Sequence, residues 1–213
     1  MSPDFELFAA TPLNTDPYPH LVVPKFLKQA DVDAAIADFP RLDMPGLFLP
    51  EAVEYGPAFA NLLKQMEGPQ MRALVSEKLG IDLTNAPTLA TVRSNCQGKD
   101  GRIHPDASFK LATILLYLNE PWAPQGGRLR ILRSGTDLED YSAEVSPEGG
   151  LLICFKVQPN SWHGHHPYIG PRRYLMINYC GDPQQRDAEA ARHRLSGRVK
   201  KLGRAFGFGR IPA

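Results

Sequence analysis

Residues 113–133 read TILLYLNEPWAPQGGRLRILR. Two β-prone runs, 113–118 and 128–133, flank a break containing Pro121, Pro124, Gly126 and Gly127. Aliphatic and β-branched residues suit a pleated, half-buried surface, and Pro and Gly interrupt it. The same rhythm continues outward. Upstream, residues 88–93 form a strand candidate, followed by breaks at Gly98 and Asp100-Gly101. Downstream, residues 151–156 and 173–179 follow breaks at 147–150 and at Gly170-Pro171. Many short strands without intervening helices predict antiparallel layers, a sandwich or a barrel, over residues 87–180.

Before residue 87 the periodicity is helical. Phe59, Leu62, Leu63 and Met66 recur at helical spacing, as do Met71, Leu74, Val75 and Leu79. Gly68-Pro69 separates the two runs, and Gly80 stands where a helix commonly ends. Residues 31–39 predict a shorter helix stopped by Pro40. The first thirty residues, with Pro12, Pro17, Pro19 and Pro24, read as extended chain with an apolar run at 21–23. The expected class is α+β, mainly β, in one unit over 1–190. Residues 1–86 would supply the extended segment and helices, and 87–180 the β core.

Residues 191–213 are set apart by charge. Of 24 Lys and Arg in the chain, seven lie from 191 on with no Asp or Glu, leaving 17 basic against 23 acidic residues before them. Leu195, Val199, Leu202 and Phe206 fall on one helical stripe beside Arg194, Arg198 and Lys201. A basic amphipathic helix of this kind is expected to pack back on the acidic body; peripheral contact with an anionic membrane or with an acidic partner are the alternatives. The apolar content of 43% excludes a largely disordered chain. No stretch is apolar over the length a membrane span needs, and the N-terminus has no secretory pattern. Cys96, Cys154 and Cys180 form no CxxC pair, which fits a reducing, cytoplasmic setting. No RNA-binding signature is present, so no nucleic-acid partner is expected.

The chemistry concentrates in two places. His104-Pro-Asp106 puts a nitrogen and an oxygen donor two residues apart, hence on one face of an extended chain. His163 follows in Asn-Ser-Trp-His-Gly. Two histidines and one carboxylate with open positions make the facial triad of non-haem Fe(II) oxygenases, although a His-x-Asp pair also occurs on ordinary solvated turns. Arg172 and Arg173 lie nine and ten residues beyond His163, and a guanidinium there can grip a carboxylate bidentately. Tyr117, on a separate strand, can donate to the same carboxylate. His165 and His166 read as a polar rim, with His165, on the same face as His163, a ligand or a supporting partner in the alternative; Arg102, Arg128 and Arg130 stay unassigned between a solvated strand face and an anion-binding pocket; Trp122 and Trp162 read as core or rim packing or as cavity lining, and Asn178 as a residue that could face substrate.

Taken in order, His104-Pro-Asp106, Leu116-Tyr117-Leu-Asn119 with Trp122, Gly126-Gly127 to Ile131, Pro147-Glu-Gly149 to Phe155, Trp162-His163-Gly, Pro167 and Arg173-Tyr174 resemble the 2-oxoglutarate- and Fe(II)-dependent dioxygenases, in their prolyl-4-hydroxylase-like branch. The run 18–27 is similar to the opening strand of that branch. The resemblance implies a double-stranded β-helix (jelly roll) with N-terminal helices packed on one sheet. It implies Fe(II) on His104, Asp106 and His163, and 2-oxoglutarate anchored by Arg173 and Tyr117. Arg173 is the arginine expected inside because Tyr174 and an apolar strand follow it; Arg172 is expected on the solvated rim.

The implied activity is hydroxylation of an unactivated C–H bond, with O2 as oxidant and 2-oxoglutarate decarboxylated to succinate and CO2. Ascorbate can serve such enzymes as a reductant. The implied substrate is a prolyl or other amino-acid side chain; a small metabolite, or a lipid- or sugar-linked intermediate, is the alternative. Similar proteins form homodimers. A cupin-like metal hydrolase or isomerase, or a non-catalytic jelly-roll binding module, stand as readings of other classes.

Overall fold

The computed structural model describes residues 2–42 and 44–205, with side chains described to residue 195. Three helices cover the N-terminal part after a short first one: α1 (Phe5–Ala10), α2 (Gln29–Ala37), α3 (Pro57–Met66) and α4 (Pro69–Leu79). Each of α3 and α4 begins with Pro at its first turn, where the missing N–H leaves no bond unmade. Gly80 ends α4 in the left-handed conformation (φ 59°), open to glycine without steric cost. The helix α1 corrects the extended reading of the N-terminus. Asp4 caps it, its Oδ1 accepting from Leu7 N at 2.8 Å, and Phe8 is fully buried against Phe26.

The strands are β1 (His20–Val23), β2 (Thr88–Cys96), β3 (Lys110–Tyr117), β4 (Leu129–Leu132), β5 (Tyr141–Val145), β6 (Leu152–Lys156), β7 (His163–Gly164) and β8 (Gly170–Cys180). Among the described residues they form a five-stranded antiparallel sheet, β1-β6-β3-β8-β2, and a three-stranded one, β5-β4-β7. The five predicted strands are all present, most of them extended by a few residues. β5 and β7 were not legible: β5 is largely solvent-facing, and β7 is two residues long.

The large sheet is buried on both faces, which explains the unbroken apolar run at 113–118. One face carries Ile114, Leu116, Cys154, Leu175, Ile177 and Tyr179, packed against Phe59, Leu62, Met66, Met71 and Val75 of the helices. The opposite face carries Leu115, Tyr117, Ile153, Phe155 and Tyr174, packed with Leu129, Ile131 and Val145 of the small sheet. Strand alternation therefore sorts β3 and β8 into a helix-facing set and a sheet-facing set.

Beyond β8, helix α5 (Pro183–Ala205) starts eight residues before the segment that charge sets apart. Ala190 is buried and Leu195 is exposed. The rest of the apolar stripe, Val199, Leu202 and Phe206, lies outside the described side chains.

Candidate active site

The site lies in a cleft of about 540 Å³ on the sheet-facing side of the large sheet. Its two histidines are direct cross-strand neighbours. His104 N donates to His163 O at 3.0 Å and His163 N to His104 O at 3.1 Å, and the rings sit 4.4 Å apart. Asp106, two residues on, joins them: one donor atom from each of His104, Asp106 and His163 lies within 4.8 Å of the others. The proximity foreseen from sequence is thus realised in space.

The surroundings prepare these groups as ligands. His104 Nδ1 lies 2.7 Å from Arg102 O, and His163 Nδ1 lies 2.9 Å from Ser161 O. A carbonyl can only accept, so each Nδ1 carries a proton, and the hydrogen bond orients each ring with Nε2 as the remaining candidate ligand atom. Burial also lowers the His163 pKa to about 4, so its ring is neutral near pH 7. Burial pushes the Asp106 carboxyl up, but Lys110, His163, the Thr113 hydroxyl and His104 outweigh it and hold it below the usual carboxylate range. Thr113 donates its hydroxyl to Asp106 Oδ2. Behind it, Asn178 Nδ2 donates to Thr113 Oγ1 at 3.3 Å. Lys110 Nζ stands 3.4 Å from Asp106 Oδ1. Two imidazoles and one carboxylate, each oriented from behind, are a donor set that suits Fe(II).

The inner end of the cleft is built by Arg172, and this corrects the expectation for the arginine pair. Arg172 is only 4% exposed. Its Nε donates to Gly127 O at 2.8 Å and its Nη2 to the Tyr117 hydroxyl oxygen at 3.2 Å. Its guanidinium carbon also lies 5.2 Å from the Tyr117 ring centroid and 5.5 Å from that of Tyr174. Arg173 points to the other face, and its backbone N–H donates to Asn119 Oδ1 at 2.6 Å. The register gives the reason. Tyr117 pairs directly with Tyr174, so these two share a face, and Arg172, two residues before Tyr174, shares it with them. Arg173 alternates out with Leu175, Ile177 and Tyr179, the helix-facing set. Burial raises the Tyr117 pKa despite Arg172, so its hydroxyl stays protonated and can donate.

The remaining candidates divide cleanly. His165 is buried in the wall of the cleft, its Nδ1 donating to His166 O at 2.8 Å and its Nε2 4.0 Å from Cys96 Sγ. Burial, then Arg172, lowers its pKa to about 4. His166 lies outside the cleft, 2.7 Å from Glu139 and 3.0 Å from Arg130. Arg128 and Arg130 pair with Glu144 on the small sheet. The Trp122 indole donates to Gly126 O and meets the Tyr168 ring edge to face. Trp162 packs over Gly135. Asn178 supports Thr113 rather than facing a substrate. Sequence reasoning passed over Thr113 and Lys110; a hydroxyl seven residues and a cation four residues beyond Asp106 become meaningful only once a turn brings them back.

Residues 92–181 match the sequence pattern of the 2OG-Fe(II) oxygenase superfamily. No curated protein matches the chain in sequence. Among solved structures, a Pseudomonas putida prolyl-4-hydroxylase is similar at 20% identity and a TM-score of 0.57, over 84% of this chain and 97% of its own. A Trichoplax adhaerens prolyl hydroxylase, in complex with a hypoxia-inducible-factor oxygen degradation domain peptide fragment, is similar at 16% identity and 0.58, over 87% and 92%. The viral collagen prolyl hydroxylase of Paramecium bursaria Chlorella virus-1, in complex with 2OG, gives 17% and 0.51, over 75% and 95%. At these identities the likeness is one of fold. The 2OG-Fe(II) oxygenase pattern thus falls on β2 to β8 and on all three metal-ligand candidates, in a chain whose fold is similar to that of the prolyl hydroxylases.

Proposed function

We propose that the protein hydroxylates an unactivated C–H bond, with Fe(II) held by His104 Nε2, Asp106 and His163 Nε2. In this reading the far carboxylate of 2-oxoglutarate is held by Arg172 and Tyr117. The observation that carries it is the buried Arg172 on the wall of the cleft that the three ligand candidates line, with the Tyr117 hydroxyl held behind it. A hydrolase or an isomerase leaves that pair without a task. A buried guanidinium that reaches the cleft and has no carboxylate partner among the described residues suits an anion, and a dicarboxylate reaching from the metal supplies one.

Strand order supports a double-stranded β-helix. If the His104–His163 bridge is taken as a short strand following β2, the chain alternates, apart from the β4–β5 pair, between two four-stranded layers, β2-β8-β3-β6 and His104-β7-β4-β5. β1 extends the first layer beyond β6.

Each residue then has a defined task. The backbone carbonyls of Arg102 and Ser161 fix the histidine tautomers. Thr113 ties Oδ2 of Asp106 and Lys110 stands against Oδ1, so the carboxylate is held from both sides where the metal would bind. Arg172 and Tyr117 bind and orient the cosubstrate's far end, and the apolar walls Leu115, Leu129 and Met176 limit water. When bound, Fe(II) and 2-oxoglutarate supply O2 activation, with the keto acid leaving as succinate and CO2 and one oxygen atom entering the substrate's C–H bond.

The fold likeness makes an amino-acid side chain, prolyl first, the leading substrate class, and a small metabolite the second. Three buried, unpaired cysteines fit a reducing compartment such as the cytoplasm. The test is stoichiometry. Uncoupled or substrate-stimulated turnover should consume O2 and 2-oxoglutarate together and release CO2, and His163→Ala or Asp106→Ala should abolish both. Full activity in either variant, or turnover without O2 and keto acid, would contradict the assignment.

A further inference from the structure

Six cations and three carboxylates line the cleft. Each carboxylate has its own cation. Asp100 pairs with Arg93 at 2.5 Å, Asp106 with Lys110 at 3.4 Å, and Glu189 with Arg192 at 2.5 Å. Glu189 also lies 3.2 Å from His193. That leaves Arg172, Lys99 and Arg102. A bound Fe(II) and a bound 2-oxoglutarate dianion bring opposite charges of equal size, so they leave the surplus of three as it was. Arg172, at the inner end, meets the cosubstrate's far carboxylate. Lys99 and Arg102, both exposed, have no ionic partner among the described residues and flank His104 at the mouth.

We infer that the primary substrate is an anion, bearing a carboxylate or a phosphate that Lys99 and Arg102 receive at the mouth of the cleft. This rests on the proposed metal and 2-oxoglutarate sites, because Arg172 is counted as occupied by the cosubstrate. The surplus stands out against the chain as a whole, whose first 190 residues carry 17 basic and 23 acidic side chains. A cationic funnel in an acidic body concentrates anions at one place and turns them away elsewhere.

The loop that carries the two cations is held in shape. Gln97 N donates to Asp100 Oδ2 at 2.8 Å, Asp100 N to Gln97 O at 2.9 Å, and His165 N to Gly101 O at 2.8 Å. Arg93 clamps Asp100 from β2. Gly101 adopts φ +83°, and a Cβ there would come within 2.3 Å of the His165 ring. Glycine thus lets the loop close onto β7, leaving Lys99 and Arg102 on its solvent side next to the metal ligands. Loops fixed in this way bind with less ordering cost than free ones.

The experiment uses the full chain loaded with Mn(II) and 2-oxoglutarate. The probes are methylphosphonate, an anion, and trimethylphosphine oxide, its neutral counterpart, each followed by 31P relaxation. Saturable, Mn(II)-dependent relaxation of the phosphonate alone is expected, lost at least tenfold in affinity in the Lys99→Gln/Arg102→Gln double variant and weakened by salt. Equal relaxation of both probes, or an unchanged phosphonate affinity in the double variant, would overturn the inference. Mn(II) and 2-oxoglutarate binding, measured separately in both proteins, shows whether the underlying site is intact. Failure there sinks the cofactor reading, whereas failure of the phosphonate alone sinks only the anionic substrate. A parallel comparison of matched carboxylates and their amides, as stimulators of 2-oxoglutarate turnover, separates a carboxylate source from a phosphate one.

Discussion

Thr113 sits between Asn178 and Asp106 and holds one oxygen of the carboxylate proposed to bind the metal. Thr113→Val keeps the shape and removes the hydroxyl, so Asp106 is free to rotate. Metal affinity is expected to fall by about 10–100-fold, the usual effect of losing a group that orients a ligand. Mn(II) titration followed by electron paramagnetic resonance reads it, and an affinity equal to wild type would remove Thr113 from the site. The arginine pair offers a sharper contrast. Arg172→Ala should raise the 2-oxoglutarate requirement on the order of 100-fold, since a buried charge pair is worth a few kcal/mol. Arg173→Ala should leave it within about twofold, because only the Arg173 backbone is engaged there. The reverse pattern in KM for 2-oxoglutarate would restore Arg173. His104 and Asp106 could be read as a pair from sequence because their spacing is local, while His163, 57 residues beyond Asp106, joined them only through the order of the motifs. The choice between two adjacent arginines could not, since it depends on which face of β8 looks inward. That phase is set by the pairing of Tyr117 with Tyr174, a contact between residues far apart in the chain.

At the scale of elements, the helices α3 and α4 act as the cover of the large sheet's outer face. Leu62 is fully buried among Phe59, Ile177 and their neighbours. Leu62→Ala should cost about 2–5 kcal/mol in urea unfolding of the metal-free protein. A loss below about 1 kcal/mol would mean that the helices are not packed as described. These helices were legible because their apolar residues repeat at helical spacing and Gly68, Pro69 and Gly80 punctuate them. The strands β2, β3, β6 and β8 were legible from apolar runs between Pro and Gly breaks. α1 was hidden by the prolines that surround it, β5 by its polar, outward side chains, and β7 by its length. β7 exists because the reciprocal bonds with His104 hold it, and these link parts of the chain that sequence reading treats separately.

On the scale of the whole molecule, two layered sheets hold the cleft from β2 to β8, and α5 closes against its rim through Glu189 and Arg192. Ala190 is buried, and the side chains at 191–195 are exposed or half-exposed. Deleting residues 196–213 should therefore spare basal 2-oxoglutarate decarboxylation, as expected of a basic segment that serves contact with a partner or surface. Loss of that activity, in a protein that still melts cooperatively, would make the segment part of the site. The central claim is that one cleft holds Fe(II) and 2-oxoglutarate together. Its most direct test is an anaerobic titration of metal-free protein with Fe(II) and then 2-oxoglutarate, following the visible charge-transfer band of the keto acid bound through two oxygens. The band should appear in the wild type and in Arg173→Ala, weaken at equal 2-oxoglutarate in Arg172→Ala, and be absent in His163→Ala. Metal binding without any band in the wild type would contradict the account.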